Sequence, residues 1–193
     1  MTAQPLLPGH LLTIDEYAEL GEDEHGYSEL QEGRVVMSPS PTYRHMIALT
    51  NLVLQLSPQV PSDLQAIAEL DIDLHFAPAD QPGSSRRPDL IVVRRSALER
   101  LDSEGGGMMR ASDVVLAVEI TSPGSRRTDN VIKRVEYADA GIGHYWILDI
   151  QPPISLVECH RTEQFGYRDS GAVTRVFSAE HPFAVTLRLD DLC

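Results

Sequence analysis

The chain has 193 residues, 42% of them hydrophobic and 23% charged, which suits a single soluble domain spanning 1–193 with a real core. Its net charge of −13 argues against non-specific binding to nucleic acid, and two cysteines, Cys159 and Cys193, are too few for a disulfide framework. The N-terminus lacks the basic start and apolar core of a signal peptide and no apolar run reaches a membrane span, so a cytoplasmic, reduced protein away from membranes is expected.

Thr13-Ile-Asp-Glu16 has the spacing of a capping box and predicts a short helix over 14–20. A polar connector follows, with Glu29 near the start of the next element. Arg34 to Met37 reads as a strand closed by Pro39 and Pro41. Met46, Leu49, Leu52, Val53 and Leu56 recur at helical spacing, which predicts a helix over 42–56 that Pro58 and Pro61 end. The later part of 65–76 alternates as a half-buried strand does.

Pro88-Asp-Leu-Ile-Val-Val93 is a continuous apolar run suited to an interior strand, and Val114 to Ile120 is a second. Between them lie a short helix and the loop EGGG. Thr128 to Ala140 reads as a helix with Val131, Ile132, Val135 and Ala138 as its apolar positions, stopped by Gly141. Gly143 to Ile150 is a third interior strand and carries Trp146, the only tryptophan. Short strands at 154–160, 166–169, 173–177 and 184–187 complete the chain. The strand–helix–strand unit at 114–149 implies α/β (α+β) character with a mixed central sheet flanked by helices.

Lys133 is the only lysine, against fifteen arginines. Arginine is a poor proton carrier, whereas a lysine ammonium is compact and changes its pKa readily on burial. A surface pair with Asp129, one turn earlier, is the plain alternative. Asp89 opens one apolar strand and Glu119 closes another. If those strands are antiparallel neighbours, both carboxylates share one edge, where they suit Mg²⁺ better than an apolar core. Side chains early in a helix lean toward its N-terminus, so Lys133 is expected to reach back toward Glu119. A metal with a lysine beside it suits attack of water on a phosphodiester. Residues 86–134, which hold all three groups, carry ten of the sixteen basic residues and seven acidic ones.

These residues resemble the Uma-two family, grouped with restriction endonucleases in the PD-(D/E)xK nuclease superfamily. The likeness runs through Arg87-Pro-Asp-Leu-Ile-Val-Val93, Val118-Glu-Ile-Thr-Ser-Pro-Gly-Ser125, Arg127-Thr-Asp129 with Lys133, Tyr137-Ala-Asp-Ala-Gly141 and Tyr145-Trp-Ile-Leu-Asp149. Upstream, Tyr27-Ser-Glu-Leu30, Gly33, Met37-Ser-Pro39 and His45 fit the family's opening, and the likeness spans about residues 14 to 190. It implies a restriction-endonuclease-like fold with C-terminal hairpins and an Mg²⁺- or Mn²⁺-dependent endonuclease acting on nucleic acid, with DNA as the expected substrate. Asp89 and Glu119 would hold the metal and Lys133 would complete a catalytic triad. The superfamily usually places its lysine at the position of Thr121; in this family it is moved to the following helix. Glu29 and His45 would lie near the site, and Asp129 could orient Lys133. A homodimer is implied as well. The competing reading is a catalytically silent homologue that dimerises and acts as a binding or regulatory module. The spacing around Ser122 supports no serine hydrolase, and scattered His and Cys give no zinc site.

Overall fold

Three apolar runs form the centre of the molecule. The computed structural model describes residues 9–20, 28–38, 40–122 and 124–193. The expected connector at 21–27, which includes Tyr27, and also Pro39 and Pro123, lie outside the described residues. In chain order, the helices are α1 (Ile14–Glu19), α2 (Tyr43–Leu56), α3 (Arg95–Glu104) and α4 (Lys133–Asp139). The strands before α3 are β1 (Ser28–Gln31), β2 (Arg34–Met37), β3 (Leu64–Ala68), β4 (Ile72–Asp73), β5 (Ser85–Arg86) and β6 (Leu90–Arg94). Those after it are β7 (Met109–Arg110), β8 (Val114–Thr121), β9 (His144–Asp149), β10 (Ser155–Thr162), β11 (Gly166–Thr174), β12 (Val176–Ala179) and β13 (Val185–Arg188).

The main sheet has the order β11-β10-β9-β8-β6-β3 and is mixed: β8 and β9 are parallel, joined through α4, and every other neighbouring pair is antiparallel. A parallel pair needs such a crossover, and a helix supplies it. Layers cover both faces. Leu49, Leu52 and Leu56 of α2, with Phe177, Val185 and Leu187 of the β12–β13 hairpin, pack on Leu90, Val92, Leu116, Val118, Trp146 and Leu148. On the opposite face Ala97 of α3 and Tyr137 of α4 pack on Ile91, Val93, Ala117, Tyr145 and Ile147. Burial on both sides explains why β6, β8 and β9 read as continuous apolar runs. Trp146 is fully buried and meets the Phe177 ring edge-on, 5.0 Å between centroids. Leu52 is also fully buried. Leu52→Ala is therefore expected to cost about 2–5 kcal/mol, measured by urea denaturation.

A smaller sheet, β2-β1-β5-β4-β7, lies beside the second face. The β1–β2 hairpin turns through Glu32 (φ 48°) and Gly33 (φ 77°), the paired left-handed residues of a tight hairpin. A Cβ on Gly33 would fall 2.7 Å from that of Leu11, so glycine is required there. The predicted capping box is present, with Thr13 Oγ1 accepting from the Glu16 amide and Glu16 accepting from the Thr13 amide.

Two sequence expectations need correction. Val173 and Thr174 end β11, and β12 begins at Val176, so 173–177 is a corner between two strands. The helix after β8 opens with a wide π turn at Thr128–Ile132, and its expected apolar face is outward: Val131, Ile132 and Val135 are exposed. The buried face holds Asp129, Lys133, Tyr137 and Ala138. The helix turns charge inward because partners for that charge await it on the sheet.

Candidate active site

The register of the main sheet brings Asp89 and Glu119 together. β6 and β8 are antiparallel with Leu90 opposite Val118, which sets Asp89, just ahead of β6, beside Glu119 near the end of β8. Side chains alternate across a strand, so Leu90 and Val118 enter one core while Asp89 and Glu119 share the opposite face. Asp89 Oδ2 accepts from the Ile120 amide at 2.6 Å, next to Glu119, and Oδ1 lies 2.9 Å from His45 Nε2. His45 comes from the first turn of α2, where Thr42 caps the helix.

Lys133 opens α4 and reaches back as its position in the helix predicts. Its Nζ donates to Glu119 Oε1 at 2.8 Å and lies 3.1 Å from Glu29 Oε1. The plain pairing with Asp129 is not what holds it. Asp129 is buried on the same helix face, and its charge helps keep Lys133 protonated. The Tyr137 hydroxyl donates to the same Glu119 oxygen at 2.7 Å. Glu29, on β1, also accepts from Arg86 at 2.7 Å, and Arg86 makes a two-pronged pair with Glu136 of α4. Thr121 shares the Glu119 face of β8, but its hydroxyl points to the Leu148 carbonyl at 3.5 Å, a structural contact.

Electrostatics separates these groups. Burial works against the Lys133 charge, but Glu119, Glu29 and Asp129 outweigh it and hold the ammonium well above the ordinary lysine range. In these surroundings the ammonium form of Lys133 is the favoured one. Burial pushes Glu119 up to about 8; Lys133 pulls it down, while Asp89 and Asp129 push it further up. Burial also raises Asp129. Glu29 is the exception: burial would raise it, but Lys133 and Arg86 hold it below its usual range.

The donor set suits a hard cation. Among the described residues, Glu29, Asp89, Glu119, Asp129 and Glu136 gather around Lys133, Arg86 and His45, and burial is the main cause that raises Glu119 and Asp129. Among the described residues no three His, Cys, Asp or Glu side chains form a ligand set by themselves. Asp89 and Glu119 would hold Mg²⁺ or Mn²⁺ as a pair, with water completing the shell, as Mg²⁺ prefers.

Comparison with known proteins places the site in context. A family model described as "Putative restriction endonuclease" matches residues 14–190. The chain belongs to the Uma2 family. Its fold is similar to a crystal structure from Anabaena variabilis, titled a putative nuclease of the DUF820 group. That match has a TM-score of 0.68 and 21% identity, and covers 94% of this chain and 97% of the other. A search of curated proteins returned no match. The likeness extends the restriction-endonuclease-like reading of the fold from sequence motifs to the whole mixed α+β architecture.

In this Uma2 protein the sequence-predicted Asp89, Glu119, Lys133, Glu29, His45 and Asp129 all converge, while Thr121 stands nearby without joining the polar cluster. Sequence reading missed Arg86, Glu136 and the Tyr137 hydroxyl. The available signal was the spacing of Glu136 and Tyr137 three and four residues after Lys133 on one helix.

The raised Glu119 sets a pH dependence. Its folded pKa lies above its ordinary 4.5, so the folded state keeps a proton that the unfolded chain releases, and stability falls as pH rises from 4.5 to about 8. His45 acts in the same sense. Burial lowers its pKa, but the hydrogen bond and charge of Asp89 raise it above 6.5, so its contribution is present below 6.5 and lost as pH climbs through the folded value. Glu29, lowered, loses its contribution only in acid. The urea midpoint is expected to drop between roughly pH 5 and pH 8, and Glu119→Gln should flatten that drop. A midpoint rising over the same interval would contradict the assignment.

Proposed function

We propose that this chain is a metal-dependent nuclease that hydrolyses phosphodiester bonds in DNA. Asp89 and Glu119 hold Mg²⁺ or Mn²⁺ and Lys133 acts beside them. The observation that carries the reading is the buried Lys133–Glu119 contact at 2.8 Å, with Asp89 just ahead of the adjoining strand. When bound, the metal activates water and neutralises charge on the phosphate. Lys133, held protonated, donates hydrogen bonds and stabilises the negative charge that builds on the phosphate as the bond breaks. Tyr137 and Lys133 together fix the Glu119 carboxylate, and His45 fixes Asp89.

A second reading, a silent dimeric binding module, draws on the occupied oxygens of Asp89 and on the net charge of −13. One experiment separates them. Purified protein is incubated with plasmid, single-stranded DNA and RNA in Mg²⁺ or Mn²⁺, beside a Lys133→Ala control. The nuclease reading expects DNA cleavage that the control lacks. Cleavage of RNA alone would reassign the substrate, and no cleavage of any of them would favour the silent module.

The proposal includes a homodimer in the cytoplasm. The exposed Val131, Ile132 and Val135 form an apolar stripe on the helix that carries Lys133, and a second copy covering it would place two sites for two strands. Light scattering at micromolar concentration is expected to report twice the 21.4 kDa chain mass. No helix among the described residues is long and apolar enough to cross a membrane.

A further inference from the structure

Lys133 lies between two carboxylates, and one of them is itself held by a buried guanidinium. Arg86 is on β5, its side chain 3% exposed. Its Nε and Nη2 donate to the two oxygens of Glu136, each at 2.7 Å, and its Nη1 donates to Glu29 Oε2 at 2.7 Å. Glu29 Oε1 faces Lys133 Nζ at 3.1 Å and accepts from the Arg87 amide at 3.3 Å. Lys133 and Glu136 sit one turn apart on α4. The contacts close a ring of alternating charge: Lys133, Glu29, Arg86, Glu136 and back along the helix.

We propose that Arg86 is a positioning residue for Lys133, acting through Glu29 and fixed in turn by Glu136. The catalytic consequence rests on the nuclease reading; the positioning itself does not. Glu29 and Glu119 compete for one ammonium. Arg86 takes a large share of the Glu29 charge through Oε2, which leaves Lys133 free to sit closer to Glu119, at 2.8 Å against 3.1 Å. Without Arg86, the whole Glu29 charge faces Lys133 alone and draws the ammonium toward β1. Only arginine can do this from one side chain, because its planar fork reaches two carboxylates at once. A purely structural ion pair would show its loss in stability, as broken buried pairs do, and would leave kcat of the folded variant unchanged.

The single lysine makes the test direct. Protein grown with ¹⁵N-lysine carries one side-chain ammonium signal, that of Lys133, and needs no assignment. Arg86→Gln is expected to shift that signal or broaden it away. With Mn²⁺ and plasmid DNA it should lower kcat on the order of 10-fold or more, with KM changed little, as for loss of a group that acts on the transition state. If Arg86→Gln does not fold, Glu136→Gln decides the matter. Its side chain is 25% exposed, and it should shift the same signal in the same direction by a smaller amount. A folded variant with the wild-type lysine signal and wild-type kcat would overturn the proposal. A wild type that cuts nothing, yet whose lysine signal moves in Arg86→Gln, would support the positioning role and refute the nuclease reading.

Discussion

Lys133→Arg is expected to cut DNA almost as poorly as Lys133→Ala, on the order of 10²-fold or more below wild type. The ammonium sits in a space 7% exposed, between carboxylate oxygens at 2.8 and 3.1 Å, with the Tyr137 hydroxyl on the same Glu119 oxygen. A guanidinium is broader and planar, and cannot enter that space with the same contacts. The two variants should differ in stability. Lys133→Ala leaves Glu119 and Glu29 buried with one cation fewer, a loss of about 3–5 kcal/mol by analogy with other broken buried pairs. Lys133→Arg keeps the charge and should lose less. Cleavage rates at several Mn²⁺ concentrations, with urea melts alongside, separate a catalytic loss from an unfolded sample. Near-wild-type cutting by Lys133→Arg would remove Lys133 from the mechanism.

Asp89→Ala is expected to abolish the heat of Mn²⁺ binding in calorimetry. It should also lower cleavage by about 10²–10³-fold, the scale of deleting a preorganised electrostatic group. Asp89 is tied at both oxygens, to His45 and to the Ile120 amide, so its carboxylate is oriented before any metal arrives. His45→Gln should keep part of the binding, because the amide contact remains. Undiminished Mn²⁺ binding by Asp89→Ala would place the metal elsewhere.

How far sequence could foresee this site depends on the range of each contact. β6 and β8 were legible because burial on both faces makes a strand uniformly apolar, and a carboxylate at the end of such a run stands out. Their antiparallel register then followed from one assumption about neighbours. The helix over 128–140 was legible as a helix but not in its orientation. Counting apolar residues assigns Val131, Ile132 and Val135 to the core, whereas the interior there is polar and draws in Asp129 and Lys133. Arg86 was illegible for a different reason. Fifteen arginines look alike in a sequence, and only the packing of β1 and β5 against α4 selects this one. The boundary between β11 and β12 was misplaced because Val173 and Phe177 suit a strand equally well on either side of the corner.

The wide turn at Thr128–Ile132 has a consequence for the length of the chain itself. A π turn holds more residues per revolution than an α-helix, which advances about 100° per residue from its 3.6-residue turn. The segment linking Glu119 to Lys133 is therefore a phase setting as well as a tether. Removing one residue there, such as Asn130, would let the turn relax to regular helix, and that relaxation absorbs most of the roughly 100° that a deletion from an α-helix imposes. A deletion inside the regular turns of α4, such as Val135, has no such slack: it would swing Tyr137 by about 100° away from Glu119 while every residue of the proposed triad remained in the chain. In this protein a deletion of one unremarkable residue can be as damaging as the loss of a charged one.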